Sequence, residues 1–516
     1  MIHCRVIVNS HCVVVDKLST NVIPIVRMFA RNFIRYESTR IPRTDEFVSK
    51  AVEVYAASTN DGREYRFAKQ CLKDLLEHLK YYQIQMHQIE LIKREMYQPE
   101  TISVKMPESW VPREQQIPII EYVVKQETEE ESEHHRVKII TMQTGRGKTD
   151  LTLKAIELIG HRVMAIMPSK YMDQWEGKLV KSLGLSPGRL VVVAGLKQFL
   201  AVMQLIYIDE CQPEVLLISS TTMSQYLSMY ESTKPEALPD WFIHPDMLYE
   251  SLKIGLRVLD EAHEFFHLNF KMDMYTHVCK SLSLSATLDP DIEFLKRMYQ
   301  LIFPLAARKS GGTYIKYVNV TAVMYHLKYW QKVKHTGPKG YNHSMYEEWL
   351  MKKGAVFQNY CKMLLQVVKE EYIKKKKPGQ RLLIYAAKID TCIKLREYLA
   401  AELDDDLVIS KYTAEDPFET LVNSDITITT LGSAGTGVDV PNLLACIMTT
   451  ALSSSQRNMQ VLGRLRELYD SPDQSPHFIY LCCRDIRKHM EYHYKKQELF
   501  TGKVLTHRSV SYSEAV

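Results

Sequence analysis

The chain has 516 residues, of which 46% are apolar and 25% charged, a composition typical of a folded protein with material for about three domains. No run of ~18 apolar residues is present, and the N-terminus lacks the basic start and small-residue cleavage site of a signal peptide, so neither a membrane span nor a signal peptide is expected. The ten cysteines form no CxxC pair, which predicts reduced thiols in a cytoplasmic protein, located in the host-cell cytoplasm if the chain is viral.

The net charge of +5 is unevenly distributed along the chain. Residues 311–400 carry 17 Lys/Arg against 6 Asp/Glu. Such a local excess is typical of a surface that binds a polyanion, although a merely solvated face is the alternative.

Residues 1–100 predict a small α/β accessory domain. Alternating apolar residues in 4–16 predict two strands, and 22–33 has helical periodicity. A further strand is expected at 51–57 and a helix at 66–82. The two prolines in 101–112 indicate a linker.

From about residue 111, short apolar runs alternate with helical segments. The apolar runs of the first series are 137–142, 162–168, 214–219, 256–261 and 281–287, and those of the second are 381–387, 407–412, 424–430, 444–450 and 477–483. This alternation predicts parallel sheets with crossover helices. We therefore expect two tandem doubly wound domains, 101–310 and 311–516. The acidic stretch 127–135 is expected to be a solvated loop.

The segment MQTGRGKT (142–149) follows a predicted strand and opens a predicted helix, as a phosphate-binding loop does. Backbone N–H groups of the loop would cradle phosphates, Lys148 would reach the β- and γ-phosphates, and the Thr149 hydroxyl would bind Mg²⁺. Met142 departs from the general pattern, which has glycine at that position. The residues expected to contact the nucleotide are Thr144, Gly145, Arg146, Gly147, Lys148 and Thr149.

Two carboxylates end the apolar run VLDEAH (258–263). Asp260 would hold Mg²⁺, Glu261 would orient and deprotonate the attacking water, and His263 would couple this site to the hydroxyl-rich SAT segment at 285–287. A helix cap after a strand is the alternative for the carboxylates, and a plain strand end is the alternative for SAT.

The segment QVLGRLRE (460–467) carries arginines in the second predicted domain. Arg464 would act as an arginine finger on the γ-phosphate, an interaction that contributes roughly 10³–10⁵ in rate, and Gln460 would sense the same phosphate.

The order of these motifs resembles superfamily 2 helicases of the DEAH-box type over residues 111–490. The resemblance implies two RecA-like domains with ATP and Mg²⁺ bound between them. It also implies that Arg113 and Gln116 read adenine and that Gly437 and Asp439 face the ribose. Arg466 corresponds to a second nucleotide-binding arginine. The family spaces these two arginines by three, whereas here Glu467 occupies the expected place.

The same resemblance implies contacts to the nucleic-acid backbone. They would come from segments 168–175, 219–225 and 429–441, whereas 384–390 fits motif IV of the family. The residues expected to make them are Pro168, Ser169, Ser220, Thr221 and Thr430.

A basic segment opens the second domain. Its aromatic Trp330 could stack on a base, while Lys332, Lys334 and Lys339 would bind phosphates. Gly337, Pro338 and Gly340 would turn the chain as a hairpin. The alternative is a solvated hairpin with Trp330 in the core. The lysine run 374–377 is expected to be a helix end.

Residues 1–100 and the insertion 328–349 resemble those of UvsW-type branch-migration helicases of bacteriophages. This second resemblance implies an ATP-dependent DNA helicase or translocase that acts in replication or recombination. Its substrates would be branched or forked duplexes and single strands, with residues 1–100 as the domain that recognises them. Other replication or recombination proteins are possible partners. Motifs near 433–441 and 460–467 are also similar to poxvirus-type transcript-release helicases. An RNA motor and the motor subunit of a restriction complex therefore remain alternatives. A non-catalytic binder is disfavoured by the intact set of Lys148, Asp260 and Glu261.

Overall fold

The computed structural model describes residues 2–40, 47–59, 61–125, 136–143, 145–286, 288, 290, 292–312, 314–337, 340–413, 416–417, 419–434, 440–468 and 470–516. The chain forms two compact units, one of Met1–Met142 with Arg146–Gly312, the other of Thr313–Val516 with Gln143–Gly145. In the part of the chain that is described, no helix has the length and apolar character to cross a membrane.

The N-terminal part of the first unit has a sheet of its own, in the order β5-β6-β2-β1-β7, and a separate hairpin of β3 and β4. Its strands are β1 (Cys4–Val8), β2 (Cys12–Asp16), β3 (Ile34–Arg40), β4 (Phe47–Val54), β5 (Ala57–Ser58), β6 (Tyr65–Ala68) and β7 (Ile89–Lys93). Its helices are α1 (Ile23–Ala30) and α2 (Leu72–Tyr81). The predicted small α/β element is therefore present.

A seven-stranded sheet forms the rest of the first unit, and its paired strands are all parallel. The strands are β8 (Val137–Thr141), β9 (Val163–Met167), β10 (Leu190–Val193), β11 (Val215–Ser219), β12 (Leu256–Leu259), β13 (Lys280–Ser285) and β14 (Arg308–Ser310). The helices are α3 (Ile117–Val124), α4 (Lys148–Ile159), α5 (Met172–Leu183), α6 (Leu196–Tyr207), α7 (Ser220–Ser232), α8 (Leu248–Ser251), α9 (Phe266–Asp273) and α10 (Glu293–Ile302).

A second parallel seven-stranded sheet and a small hairpin form the other unit. The strands are β15 (Asn319–Tyr325), β16 (Thr336–Gly337), β17 (Gly340–Tyr341), β18 (Arg381–Ala386), β19 (Ile409–Tyr412), β20 (Ile426–Thr430), β21 (Leu443–Met448), β22 (His477–Cys483) and β23 (Thr506–Ser511). The helices are α11 (His343–Lys352), α12 (Gly354–Val368), α13 (Ile389–Glu402), α14 (Glu419–Asn423), α15 (Leu431–Ala434), α16 (Ser455–Leu462) and α17 (Arg487–Phe500).

The two large sheets have the same topology. The order is β10-β11-β9-β12-β13-β8-β14 in the first and β19-β20-β18-β21-β22-β15-β23 in the second, so equivalent strands occupy equivalent places. Separate clusters of buried apolar side chains cover the faces of each sheet. Because both faces are covered, central strands such as β9 are buried at every residue, which explains their continuous apolar runs. The prediction of two tandem doubly wound domains is confirmed.

The N-terminal sheet shares a core with the first large sheet. A single cluster of buried apolar residues contains members of both, and the ring of Tyr55 lies 5.0 Å from that of Phe270. Polar contacts accompany it, since Ser10 N–H donates to Nδ1 of His277 over 3.1 Å. The Arg66 guanidinium, 8% exposed, makes a bidentate ion pair with Asp246. Residues 1–100 are therefore packed into the first unit through buried contacts.

The helix predicted over 66–82 begins later than expected. Residues Tyr65–Ala68 form β6 and the α-helix starts at Leu72. The strand is buried at each of its four positions, including Arg66, and a segment this short has no period that distinguishes strand from helix. The predicted solvated loop 127–135 lies outside the described residues.

Candidate active site

The predicted phosphate-binding loop connects β8 to α4. Gly145 and Gly147 have φ of +79° and +80°, the left-handed region that favours glycine, and α4 starts at Lys148 directly after Gly147. A Cβ at Gly147 would lie 2.7 Å from Nε2 of Gln116, so a side chain there would displace the Gln116 amide from the loop. The loop thus leads into a helix N-terminus, where free N–H groups and the helix dipole favour an anion. Thr144 lies outside the described residues.

Lys148 and Glu261 are the first pair of predicted catalytic residues that the structure brings together. Nζ of Lys148 lies 2.9 Å from Oε1 of Glu261, and their side chains are only 10% and 13% exposed. Lys148 follows β8 and Glu261 follows β12, so each stands at the carboxyl edge of the same sheet. Glu261 has a φ of +47°, an unusual backbone conformation for a glutamate.

Asp260 lies at the end of β12, where both of its carboxylate oxygens accept hydrogen bonds. The indole Nε1 of Trp175, in α5, donates to Oδ2 over 2.7 Å, and the backbone N–H of Glu261 donates to Oδ1 over 2.8 Å. Burial is the largest cause that raises the pKa of Asp260, and the adjacent carboxylate of Glu261 is the second. Lys148 and the hydrogen bond from Trp175 lower this pKa. A buried carboxylate whose ionised form is disfavoured in this way would be stabilised by a bound cation.

His263 connects the carboxylates to the end of the neighbouring strand. Its Nδ1 lies 2.7 Å from Oγ of Ser285 and 3.3 Å from Oε2 of Glu261. Burial lowers the pKa of His263, which favours the neutral imidazole. The predicted contact between His263 and the SAT segment is therefore present at Ser285, whereas Thr287 lies outside the described residues.

The donor set at this edge fits a magnesium nucleotide. Mg²⁺ is usually held by one or two protein oxygens together with phosphates and water. The carboxylate of Asp260 and the hydroxyl of Thr149, the second residue of α4, supply oxygens of this kind. Among the residues with assigned structure there is no cluster of three or more His, Cys, Asp or Glu that could hold a metal ion by itself. A metal here would therefore depend on the nucleotide for ligands.

Gln116 contacts the phosphate-binding loop. Its side-chain N–H groups donate to the carbonyls of Arg146 and Gly147 over 3.2 and 3.3 Å, and its Oε1 accepts from the backbone N–H of Arg113 over 2.9 Å. Gln116 is 3% exposed, whereas Arg113 is exposed. Gln116 thus braces the loop, a contact that its sequence context did not indicate. Adenine recognition by this pair stays a prediction.

Residues predicted to bind the nucleic-acid backbone follow β9 and β11 in the first unit. Ser169 and Thr221 are exposed, but Pro168 is buried and Ser220 is only 4% exposed. Ser220 is the first residue of α7, whose preceding residue Ser219 caps the helix by accepting the N–H of Thr222. Side-chain contacts from this helix start would therefore come from Thr221 and not from Ser220.

The second unit carries the predicted arginine motif on and after α16. Gln460 lies on the helix, and Arg464 and Arg466 follow its end at Gly463. Nη1 of Arg466 donates to the carbonyl of Gly463 over 3.0 Å and so helps to close this turn. Thr430 ends β20, and its hydroxyl accepts the N–H of Ser433 at the start of α15. Gly437 and Asp439 lie outside the described residues.

The predicted hairpin of the basic segment is present. Thr336 pairs with Tyr341 and Gly337 with Gly340 in antiparallel register, and Gly340 has a φ of +94°. Pro338 and Lys339 lie outside the described residues. The side chain of Trp330 is 46% exposed, so the alternative that buried it in the core is wrong.

Lysines 332 and 334 are both exposed in this segment. The ammonium group of Lys332 lies 5.9 Å from the ring centre of Tyr329, which is itself 63% exposed. Cationic and aromatic side chains therefore share one solvent-exposed stretch, as a nucleic-acid surface requires.

The lysine run after α12 forms ion pairs. Each lysine lies within ion-pair distance of a carboxylate, in the pairs Lys374–Glu370, Lys375–Glu371, Lys376–Asp425 and Lys377–Asp473. The helical segment ends at Ile373. The prediction of a helix end is confirmed.

No protein-family model matches this chain, and no curated protein matches it in sequence. Solved structures do match. Mss116p bound to single-stranded RNA and AMP-PNP has 16% identity over 78% of this chain and 75% of that one, at a TM-score of 0.50. A fragment described as an HsdR subunit of a type I restriction enzyme from Vibrio vulnificus has 13% identity over 79% and 70% of the two chains, also at 0.50. The fold is therefore that of tandem RecA-like domains.

Proposed function

We propose that this protein is an ATP-driven nucleic-acid motor of helicase superfamily 2, and that its substrate is branched or forked DNA. The observation that carries the proposal is the 2.9 Å contact of Lys148 with Glu261, next to Asp260, at the carboxyl edge of the first large sheet. In a doubly wound sheet, ligands bind at this edge. A lysine on a glycine loop facing two partly buried carboxylates is an arrangement suited to phosphoryl transfer from a magnesium nucleotide.

The chemistry assigns a separate task to each group. Lys148 would exchange Glu261 for the β- and γ-phosphates when ATP binds, which would leave Glu261 able to accept the proton of an attacking water. Asp260 would hold Mg²⁺, which neutralises charge on the phosphates as the terminal bond breaks. Arg464 of the second unit would stabilise the charge of the transferred phosphoryl group. The other nucleotide contacts proposed from the motifs are those of Arg113, Gly437, Asp439 and Arg466.

Three features support a nucleic-acid substrate. The exposed hairpin segment presents lysines beside Tyr329 and Trp330, and Ser169 and Thr221 are exposed at the strand ends of the first sheet. The sequence resemblance to UvsW-type enzymes, in residues 1–100 and 328–349, favours DNA branches. The two solved structures cited above share this fold. One is described as bound to single-stranded RNA and the other as a subunit of a type I restriction enzyme, so the test must include RNA as a comparator.

The deciding experiment is ATP hydrolysis measured with single-stranded, duplex, forked and four-way DNA, and with RNA of the same sequence. We expect stimulation by DNA, strongest with forked and four-way substrates, and none in Lys148→Ala, since the phosphates lose their charged partner. Stimulation by RNA alone would replace the DNA proposal by an RNA motor. An ATPase that responds to no nucleic acid would refute the proposal.

A further inference from the structure

A chain of buried hydrogen bonds begins at the base of the hairpin. The Tyr341 hydroxyl, at the end of β17, lies 2.6 Å from Nδ1 of His343 and is also hydrogen-bonded to Nε2 of His489. His343 and His489 are 7% and 2% exposed. The hydrogen bonds of the Tyr341 hydroxyl favour this arrangement of the cluster, because a buried polar group that loses its partner is costly.

Backbone amides fix the direction of these hydrogen bonds. The N–H of Cys483 donates to Nδ1 of His489 over 3.2 Å, so the proton of neutral His489 is on Nε2 and is donated to Tyr341. The N–H of Ala451 donates to Nδ1 of His343 over 3.2 Å. Nδ1 of His343 is therefore an acceptor, and the Tyr341 hydroxyl and the Ala451 N–H both point their protons at its one lone pair, the hydroxyl from the shorter distance.

His343 lies against two segments that the motifs single out. Ala451 follows β21 and precedes Ser454, whose side chain caps α16, the helix that leads to Arg464. Nε2 of His343 faces Oε1 of Glu347 at 3.5 Å. Glu347, only 2% exposed, accepts the backbone N–H groups of Ala387 and Lys388 in the motif IV segment over 2.8 and 3.0 Å.

The turn before α16 is held from its other side as well. Leu452, next to Ala451, accepts from Nζ of Lys496 over 3.3 Å and from the side chain of Asn458 over 3.4 Å. Residues 451–454 are therefore held by hydrogen bonds to His343, Lys496 and Asn458, and a shift of His343 would reach the start of α16 through this turn.

We infer that Tyr341 and His343 are positioning residues that couple contact of nucleic acid at the basic hairpin to the placement of α16 and its Arg464. The inference rests on the proposed motor function, because it assigns to the hairpin a nucleic-acid strand and to Arg464 a role in hydrolysis. A strand bound at the hairpin would move Tyr341, and through His343 the turn at Ala451. The hairpin would then regulate the rate of hydrolysis and not merely the grip.

The test is a split between turnover and affinity in the full chain. ATP hydrolysis is measured against increasing concentrations of a single-stranded DNA oligonucleotide and of its RNA counterpart. Tyr341→Phe keeps the ring and removes the hydroxyl. We expect its maximal stimulated kcat to fall about five- to tenfold, while basal turnover and the oligonucleotide concentration at half-stimulation stay within about twofold.

Tyr372→Phe is the matched control. Tyr372 is also buried in the second unit, and its hydroxyl lies 2.7 and 3.0 Å from the carbonyl oxygens of Gln380 and Asp425, which can accept its proton, apart from the hairpin cluster. It should leave stimulation unchanged. The double variant Tyr341→Phe with His343→Leu should lose no more stimulation than the more affected single variant, since both act through one connection.

Each outcome decides the inference. Full stimulation in Tyr341→Phe, a parallel loss of basal and stimulated turnover, or a loss of affinity alone would each overturn the coupling while the motor assignment stands. Additive losses in the double variant would also overturn it. A wild-type enzyme that no nucleic acid stimulates would instead show that the proposed function fails. If the Tm of Tyr341→Phe is far below that of the wild type, the same comparison of stimulated kcat, basal turnover and half-stimulating concentration is made with His343→Leu alone.

Discussion

The indole Nε1 of Trp175 donates to Oδ2 of Asp260 over 2.7 Å and so connects α5 to the carboxylate that ends β12. Trp175 is 1% exposed, and its hydrogen bond to Asp260 is partly buried. A charge-assisted hydrogen bond of this kind contributes about 1.5–3 kcal/mol to the ionised acceptor. Trp175 thereby offsets part of the burial that raises the pKa of Asp260.

Replacing Trp175 by Phe should raise the pKa of Asp260 further. Mg²⁺ binding requires the carboxylate, so the acid limb of the pH profile of ATP hydrolysis should move upward by about one pH unit. Turnover near pH 9 should be much less affected. The check is kcat/KM between pH 5 and 9 at fixed Mg²⁺, with Trp241→Phe, a partly buried tryptophan of the same unit, as control. An unshifted acid limb would mean that Asp260 does not govern the profile.

Glu261→Gln should bind ATP and hydrolyse it slowly, because an amide cannot accept the proton of the attacking water. Lys148 would also lose its charged partner at 2.9 Å, so binding of ATP no longer has to displace an ion pair. ATP affinity should therefore stay the same or rise, while kcat falls by about 10² or more. Equilibrium binding of labelled ATP and single-turnover hydrolysis measure the two effects. Weakened ATP binding would assign Glu261 a structural role.

How far the sequence predicts this structure depends on whether a pattern is local. All ten apolar runs assigned to the two large sheets are strands, because a fully covered parallel strand is apolar at consecutive positions. Within the two large sheets, four strands were not predicted, namely β10, β14, β15 and β23. The last, Thr506–Ser511, is an edge strand with mostly exposed residues, so it has no apolar run to mark it.

The candidate site shows the same division. The loop glycines, Lys148, Asp260 and Glu261 could be predicted as site residues because each motif combines particular residue types at fixed spacing within one short segment. The contacts of Trp175 with Asp260 and of Gln116 with the loop join segments far apart in the chain, and no local pattern encodes them. No local pattern encodes the core that residues 1–100 share with the first large sheet either. Taken segment by segment, the sequence therefore predicts two separate domains there.

This shared core predicts that the first unit unfolds as one. Asp246→Ala would remove the bidentate partner of the buried Arg66 guanidinium and leave it the ion pair with Glu64, so the variant should be less stable than the wild type. Thermal unfolding of the variant should show a single transition at a lower Tm for the whole unit. Hydrogen exchange measured in peptides from residues 1–100 and from 248–277 monitors this transition. Lys73→Ala breaks an exposed pair with Glu77 and should change little. Early exchange confined to residues 1–100 would contradict joint unfolding and restore an independent N-terminal domain.

Arg464→Ala should depress turnover by at least 10³-fold with ATP affinity nearly intact, since an arginine finger acts on the transition state. Arg466→Ala should do less, because its Nη1 donates to the Gly463 carbonyl and so serves the turn. Arg457, exposed on α16, gives the matched control Arg457→Ala. Steady-state kcat with saturating DNA and ATP-binding titrations separate the effects. The opposite ranking of Arg464 and Arg466 would place the finger at Arg466.

The last prediction concerns the exposed lysines of the hairpin segment. Changing Lys332 and Lys334 to Gln should weaken DNA binding at low salt and flatten its salt dependence, because up to two phosphate contacts are lost. Each such contact contributes about 0.7–0.9 to the slope of log K against log salt. Basal hydrolysis should not change, since neither lysine lies in the phosphate-binding segment. Strand separation of a forked duplex should fall more than DNA-stimulated hydrolysis if the hairpin acts where strands part.

Lys352→Gln with Lys374→Gln is the charge-matched control, because both lysines are exposed but already paired with Glu348 and Glu370. DNA affinity measured between 50 and 200 mM salt, together with unwinding of the fork, gives the comparison. An unchanged slope with wild-type unwinding would identify the segment as a solvated loop, and an equal loss in the control pair would mean that total charge and not this hairpin determines binding.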